Sequence, residues 1–346
     1  MKRRQGKKAC IIGAGAWAGA LGVVLCDNGY QVALWARSES TVKYFEVNKS
    51  VPRLPGIVLP RNMTVTTDVD KALSDASLVV LAIPSSALSQ VTREIAGRLP
   101  GDALVVTATK GFDLDTLRRP SQVWIDANPS VKDRMCVLSG PNFAAEIAKR
   151  LPAATVVAAL EESTRLAVQH AFMTGYFRVY THVDVIGVEI GGALKNVIAL
   201  ACGMAQGMGA GYNAQAAIIS RGIAEITRLG VALGAQPLTF AGLSGLGDLV
   251  LTSTGPLSRN RQAGIAVGKS ESIHSFVDRT GYTVEGLQTV KAAMQLSATY
   301  DIPMPITDVV YRILYENLSL HRGLSEAMNR ERKPEPEEYY FRIGEF

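Results

Sequence analysis

Three short stretches of this chain carry side chains that could do chemistry. Residues 191–203 read GGALKNVIALACG, with Lys195 and an asparagine at the head of an otherwise apolar run at helical spacing. A buried ammonium is costly unless something pairs with it. Lys195 therefore either snorkels out of a core helix or serves as a reactive group. Residues 13–18 read GAGAWA, followed by Gly19. Between a strand and a helix, Gly13 permits a tight turn, Gly15 admits a pyrophosphate close to the backbone, and Ala18 replaces the third glycine of the pattern. The N–H groups at such a helix start suit phosphate oxygens. Residues 242–264, GLSGLGDLVLTSTGPLSRNRQAG, hold a hydroxyl, a guanidinium and an amide at Ser258, Arg259 and Asn260. That set either grips a small phosphorylated ligand or forms an ordinary surface turn.

The elements that must position these residues follow from the hydrophobic pattern. ACIIG is a short strand, AGAWAGALGVVLCDNG a turn and helix ending at Gly29, and YQVALWAR a second strand. Further apolar runs are SLVVLAIP (77–84), DALVVTATKG (102–111), MCVLSGP (135–141) and ATVVAA (154–159). The helical stretch ALSQVTREIAGRL separates the first two, so the alternation predicts a parallel sheet covered on both faces. From about residue 184 the pattern becomes helical throughout, and 214–234 reads as a second long helix. The predicted organisation has four parts. A basic tail (1–8) precedes a Rossmann-type, doubly wound, mostly parallel α/β domain (9–188). An all-α C-terminal domain (189–330) and a tail (331–346) follow.

The second strand ends Trp-Ala-Arg-Ser, and the nearest acid, Glu39, comes two residues after Arg37. A site for NAD usually places an acid there to bind the ribose 2′-hydroxyl. A carboxylate would repel a 2′-phosphate, whereas a guanidinium pairs with it. Arg37 thus favours NADP(H), with NAD(H) as second choice; the alternative is a solvated strand end.

At 346 residues the chain suits two domains, and 47% hydrophobic with 19% charged residues is an ordinary globular balance. Much of the net charge of +5 sits in MKRRQGKK, which is too short for a transit peptide and lacks the apolar part of a signal peptide. It reads as a solvated tail, or as a weak contact with anionic lipid. Cys10, Cys26, Cys136 and Cys202 form no CxxC pair, which fits core thiols and a cytoplasmic location. No uninterrupted apolar run reaches about 18 residues, so no membrane insertion is expected. No ligand spacing calls for a metal, and the four histidines stand outside every motif. Aromatic-interleaved basic patches are missing, so nucleic acid is not an expected partner. A homodimer is left open.

Taken together, several blocks resemble one family. They are GAGAWAGAL (13–21), TKGFD (109–113), LSGPNFAAEIA (138–148), GGALKNVIALACG, ISRGIAEITRLG (219–230), GLSGLGDLVLTSTGPLSRNR (242–261) and VEGLQT (284–289). The chain resembles, from about residue 9 to about 323, the bacterial type of NAD(P)-dependent glycerol-3-phosphate dehydrogenase. The resemblance implies reversible reduction of dihydroxyacetone phosphate to sn-glycerol 3-phosphate, which supplies glycerophospholipid synthesis. It implies Lys195 as proton donor and acceptor, and Lys110 in touch with both substrate and cofactor. Asp248, Ser258, Arg259 and Asn260 would line the substrate site, with Gly140 and Asn142. Gly13, Gly15, Ala16, Trp17, Arg37, Ala144, Arg259, Thr283 and Glu285 would contact the cofactor. Two positions depart from the family pattern. Ala16 stands where serine is usual, and Asn142 stands where serine or threonine is common, offering an amide that could donate to a substrate oxygen.

Hydride transfer to a ketone leaves an oxygen that needs a proton, and the reverse direction needs a base. Lysine serves both if desolvation and a second cation, Lys110, lower its pKa while Asp248 limits the fall. Gly191 and Gly192 would leave room for a ring or substrate. Two other readings stay open: a related reductase for another small hydroxy or keto acid, and a nucleotide sensor without turnover.

Overall fold

A computed structural model of the chain describes residues 7–54 and 56–329. The chain divides into two compact units, Met1–Thr109 with Arg118–Val185, and Lys110–Leu117 with Ile186–Phe346. The predicted C-terminal tail (331–346) and most of the basic tail lie outside the described residues. Lys8, counted above with that tail, opens the first strand.

The first unit is built on an eight-stranded sheet. Its strands are β1 (Lys8–Ile12), β2 (Gln31–Trp35), β3 (Met63–Thr66), β4 (Leu78–Leu81), β5 (Leu104–Thr107), β6 (Met135–Ser139), β7 (Ala153–Ala158) and β8 (Phe177–His182). They lie in the order β3-β2-β1-β4-β5-β6-β7-β8, and every neighbouring pair is parallel except β6 with β7. Alternation along the strands feeds two cores. Ala9, Ile11, Val32, Leu34, Leu78 and Val80 pack with the Ala16–Asp27 helix on one face. Cys10, Ile12, Ala33, Trp35, Val79 and Leu81 pack with Leu88, Val91 and Trp124 on the other. Because both faces are covered, the inner strands read as unbroken apolar runs.

The sequence reading named neither β3 nor β8. β3 is only MTVT. In β8 Phe177 and Val179 are buried while Arg178 and Tyr180 are exposed. Edge strands with one wet face lack the continuous run by which the inner ones are found.

The second unit is helical. Its longest described helix, Val185–Gly207, spans 23 residues and is long and apolar enough to cross a membrane, yet 89% of its apolar window is buried in the protein. It is the core helix of this unit, and it carries the buried Glu189 and Lys195. Residues 110–117 join this unit rather than the sheet, because Phe112 packs with Ile190, Leu194 and Leu249. Lys110 therefore travels with the helices, although the predicted boundary put it in the 9–188 segment.

Glycines set how closely the helices approach. A Cβ on Gly203 would lie 2.9 Å from the Gly264 Cα, and one on Gly207 would lie 2.8 Å from the Gly268 Cα. The Val185–Gly207 and Arg259–Gly268 helices thus meet backbone to backbone. Gly203→Val is expected to lose about 2–3 kcal/mol of stability, since neither backbone can give way without parting the helices. Gly97→Ala, where a Cβ meets nothing within 4 Å, should stay within about 0.5 kcal/mol of wild type. Urea unfolding midpoints measure both.

Candidate active site

In the second unit one carboxylate holds two ammonium groups. Asp248 is 1% exposed and begins the Asp248–Thr254 helix, directly after the π-helical turn Leu243–Gly247. Lys110 Nζ donates to Asp248 Oδ2 at 2.6 Å. Lys195 Nζ donates to Asp248 Oδ1, and to Thr252 Oγ1 at 2.8 Å. The Thr252 hydroxyl donates in turn to Asp248 Oδ1 at 3.2 Å. Gly191, one turn before Lys195, explains how the two chain segments come so close. A Cβ there would sit 2.6 Å from the Ser244 carbonyl oxygen. The space beside Gly191 is thus filled by the chain's own backbone, not left for a ring or substrate as the sequence suggested.

Burial drives the pKa of Lys195 down from 10.5 to about 7. Asp248 opposes that fall, and the positive charge of Lys110 adds to it. A lysine in this setting exchanges its proton near neutrality, which suits general acid–base work. Glu225 is also displaced, raised by burial to about 7. Its carboxylate accepts the Ile306 and Thr307 N–H groups at 2.6 and 3.2 Å, so it caps the Pro305–Tyr315 helix.

The polar triplet at 258–260 is partly spent on architecture. Ser258 caps the Arg259–Gly268 helix, its Oγ accepting the Arg261 N–H at 3.2 Å. Asn260 Nδ2 donates to Asn196 Oδ1 at 2.9 Å, and Asn260 Oδ1 accepts the Gly286 N–H at 2.9 Å. One amide therefore ties three helices together, the third being Glu285–Tyr300. Asn196, next to Lys195, was not singled out from the sequence; its place in the ALKN block was the available signal. Arg259 is exposed on the first turn of its helix, Thr283 is exposed, and Glu285 is half-buried beside Gly286.

The first unit holds a cleft of about 470 Å³ at the carboxyl ends of β1, β2 and β4, lined by Gly13, Gly15, Arg37, Ser38, Thr41 and Ile83 among others. Gly13 has φ +121°, and a Cβ there would fall 2.5 Å from the Ala82 carbonyl oxygen, so only glycine fits. A Cβ on Gly15 would meet nothing within 4 Å. No side chain caps the Ala16–Asp27 helix that starts there, which leaves its first N–H groups free for an acceptor. The Trp17 indole N–H is buried without a partner. Open space, uncapped N–H groups and a cation at the rim fit the phosphates of a dinucleotide. Ser38 and Thr41 were missed from the sequence, where the hydroxyl-rich SEST run was the only hint.

Gly140, Asn142 and Ala144 also belong to the first unit. A Cβ on Gly140 would meet the Thr155 Cα at 2.9 Å, so this glycine lets β7 fold back beside β6. The expected role of Asn142 as a donor needs correction. Its Nδ2 already donates to the Pro141 and Ala154 carbonyl oxygens at 3.0 and 2.9 Å, and its Oδ1 is the buried atom without a partner. What Asn142 offers is an acceptor.

Two family models match the chain: the N-terminus of NAD-dependent glycerol-3-phosphate dehydrogenase over residues 8–165, and its C-terminus over residues 184–325. A glycerol-3-phosphate dehydrogenase (NAD(P)+) from Moorella thermoacetica is 46% identical over 328 residues, covering 94% of this chain and 97% of that protein. One from Mycobacterium tuberculosis is 45% identical over 326 residues, covering 94% and 97%. The crystal structure of glycerol-3-phosphate dehydrogenase from Coxiella burnetii superposes with a TM-score of 0.90 at 32% identity, covering 94% of this chain and 99% of that one.

The amide tie yields a test that separates architecture from ligand binding. Asn260→Ala would leave Asn196 Oδ1 and the Gly286 N–H buried and unpaired. It is expected to cost about 1–3 kcal/mol of stability with no ligand present, read from thermal or urea unfolding.

Proposed function

The chain belongs to the NAD-dependent glycerol-3-phosphate dehydrogenase family, and on that premise we propose that Lys195 is the proton donor and acceptor of its reaction. The enzyme is an oxidoreductase that reduces dihydroxyacetone phosphate to glycerol 3-phosphate with NAD(P)H. The observation that carries the proposal is the buried carboxylate of Asp248 shared between Lys195 and Lys110.

Bound dinucleotide supplies the hydride. Gly13, Gly15, Ala16, Trp17 and Arg37 are the residues of the first unit that would hold it, with Arg37 favouring NADP(H). Reduction puts negative charge on the ketone oxygen, and the Lys195 ammonium is the acid that answers it. Asp248 and Thr252 hold the ammonium by accepting its N–H groups. Once Lys195 has given up its proton, Lys110 still neutralises Asp248, so no buried carboxylate is left unpaired. In the oxidation direction the neutral amine takes the hydroxyl proton of glycerol 3-phosphate. Arg259 is the cation proposed for the substrate phosphate.

The product is the backbone on which glycerophospholipids are built. Four buried cysteines with no disulfide support a cytoplasmic setting; burial pushes Cys10, Cys26 and Cys136 to about 12 and Cys202 to about 11, which keeps them inert.

Oxidation of NADPH on addition of dihydroxyacetone phosphate is the direct assay. Lys195→Met, which keeps bulk and loses the proton, should lower kcat at least about 100-fold. NADPH affinity should change less than about 2-fold, because the change removes transition-state chemistry and not cofactor contacts. Near-normal turnover in that variant would sink the assignment. The sign of the pH dependence follows from which form acts. Reduction needs the ammonium, so its kcat should fall as pH rises through about 7; oxidation needs the amine, so its kcat should rise through the same pH. Paired pH profiles in the two directions check this.

A further inference from the structure

Two acids follow the carboxyl ends of β2 and β3, Glu39 and Asp68, and neither lines the cleft. Asp68 is spent on its own chain, its Oδ1 accepting the Lys71 N–H at 3.0 Å to cap the Val69–Leu73 helix. Glu39 Oε1 accepts the Thr67 hydroxyl at 2.6 Å. Thr67 is itself well anchored. Its carbonyl oxygen accepts the indole N–H of Trp35 at 3.0 Å, and the neighbouring Thr66 carbonyl accepts the Ala36 N–H at 2.9 Å.

Arg37 is placed in the opposite way. Its side chain lines the cleft and makes no hydrogen bond or ion pair with any described residue. Ser38 and Thr41, on either side of Glu39 in sequence, line the cleft with it, their hydroxyl oxygens 3.0 Å apart. Glu39 is thus flanked by cleft residues while its carboxylate is tied to Thr67. A carboxylate two positions from Arg37, once released, could pair with the guanidinium or occupy the space of an incoming phosphate. Either outcome weakens an anion more than a neutral hydroxyl.

We propose that the Thr67–Glu39 hydrogen bond is a specificity latch: it holds the acid nearest Arg37 away from the cleft, so that the guanidinium stays free for a dinucleotide carrying a ribose 2′-phosphate. Thr67 is a positioning residue in this scheme, acting on the cofactor only through Glu39. The inference rests on reading the cleft as the dinucleotide site and Arg37 as the 2′-phosphate partner.

Dissociation constants for NADPH and NADH, measured by calorimetry on the full chain, provide the test. Thr67→Val keeps the shape and the backbone bond to Trp35 but removes the hydroxyl. It should weaken NADPH about 3- to 10-fold, in keeping with loss of a hydrogen bond to a charged group at an exposed site, and leave NADH within about 2-fold. Glu39→Ala should bind NADPH as wild type does. Adding Glu39→Ala to Thr67→Val should restore NADPH binding, because no carboxylate remains to be held. If Thr67→Val leaves the NADPH-to-NADH ratio unchanged in a protein that prefers NADPH, the latch is overturned and the cleft reading stands. If the double variant binds as weakly as Thr67→Val alone, the effect is distortion of the strand end and the latch is likewise overturned. Equal affinities in the wild type would overturn the 2′-phosphate reading and the latch together.

Discussion

A single carboxylate, Asp248, sits almost wholly out of water between two lysine ammonium groups. Three charges in such a place must be matched within a few ångströms, because each would be prohibitively costly alone. The count matters as much as the distance. With both lysines protonated the cluster carries one net positive charge, and with Lys195 neutral it carries none. Loss of that proton therefore relieves a buried charge, which is why burial and Lys110 pull Lys195 toward neutrality while Asp248 holds the proton in place. The same carboxylate orients the amine whichever form it is in.

Much of the second unit is arranged so that this cluster can form. Lys110 arrives on a segment that leaves the sheet and is anchored among the helices by Phe112. Asp248 arrives at the end of a π-helical turn that lies against Gly191. Gly203 and Gly207 bring the lysine helix into backbone contact with the Arg259–Gly268 helix, and the Asn260 amide then ties both to the start of a third. Close backbone packing leaves little freedom to slide, and a buried amide with both ends satisfied penalises any rearrangement that breaks it. Rigidity of this kind keeps Lys195 aligned with its carboxylate.

The first unit solves a different electrostatic problem with the same economy. Its glycine turn and uncapped helix start leave neutral N–H donors open, groups of the kind that suit phosphate oxygens, and Arg37 adds a full charge where the second strand ends. The nearby acids are occupied by local hydrogen bonds, Asp68 with a helix start and Glu39 with Thr67. A cation beside carboxylates stays open to an anion only where those carboxylates are engaged elsewhere.

The inner strands, the glycine turn and the long lysine helix were legible in the amino-acid sequence. Each is a local pattern in which period, burial and special backbone angles act within a few residues of one another. The edge strands β3 and β8 were not, since one wet face breaks the apolar run. Lys195 could be recognised as a lysine in the wrong company, and Asp248 named as an opposing carboxylate. That the two are bonded across 53 positions, with Thr252 between them, depends on how distant segments pack. The same holds for the amide groups. Nothing in the string of residues says that Asn142 spends its donors on Pro141 and Ala154, or that Asn260 is bonded at both ends. Residue type determines what a side chain is able to donate or accept; only the folded chain decides which of those capacities are used up internally and which are left for a ligand.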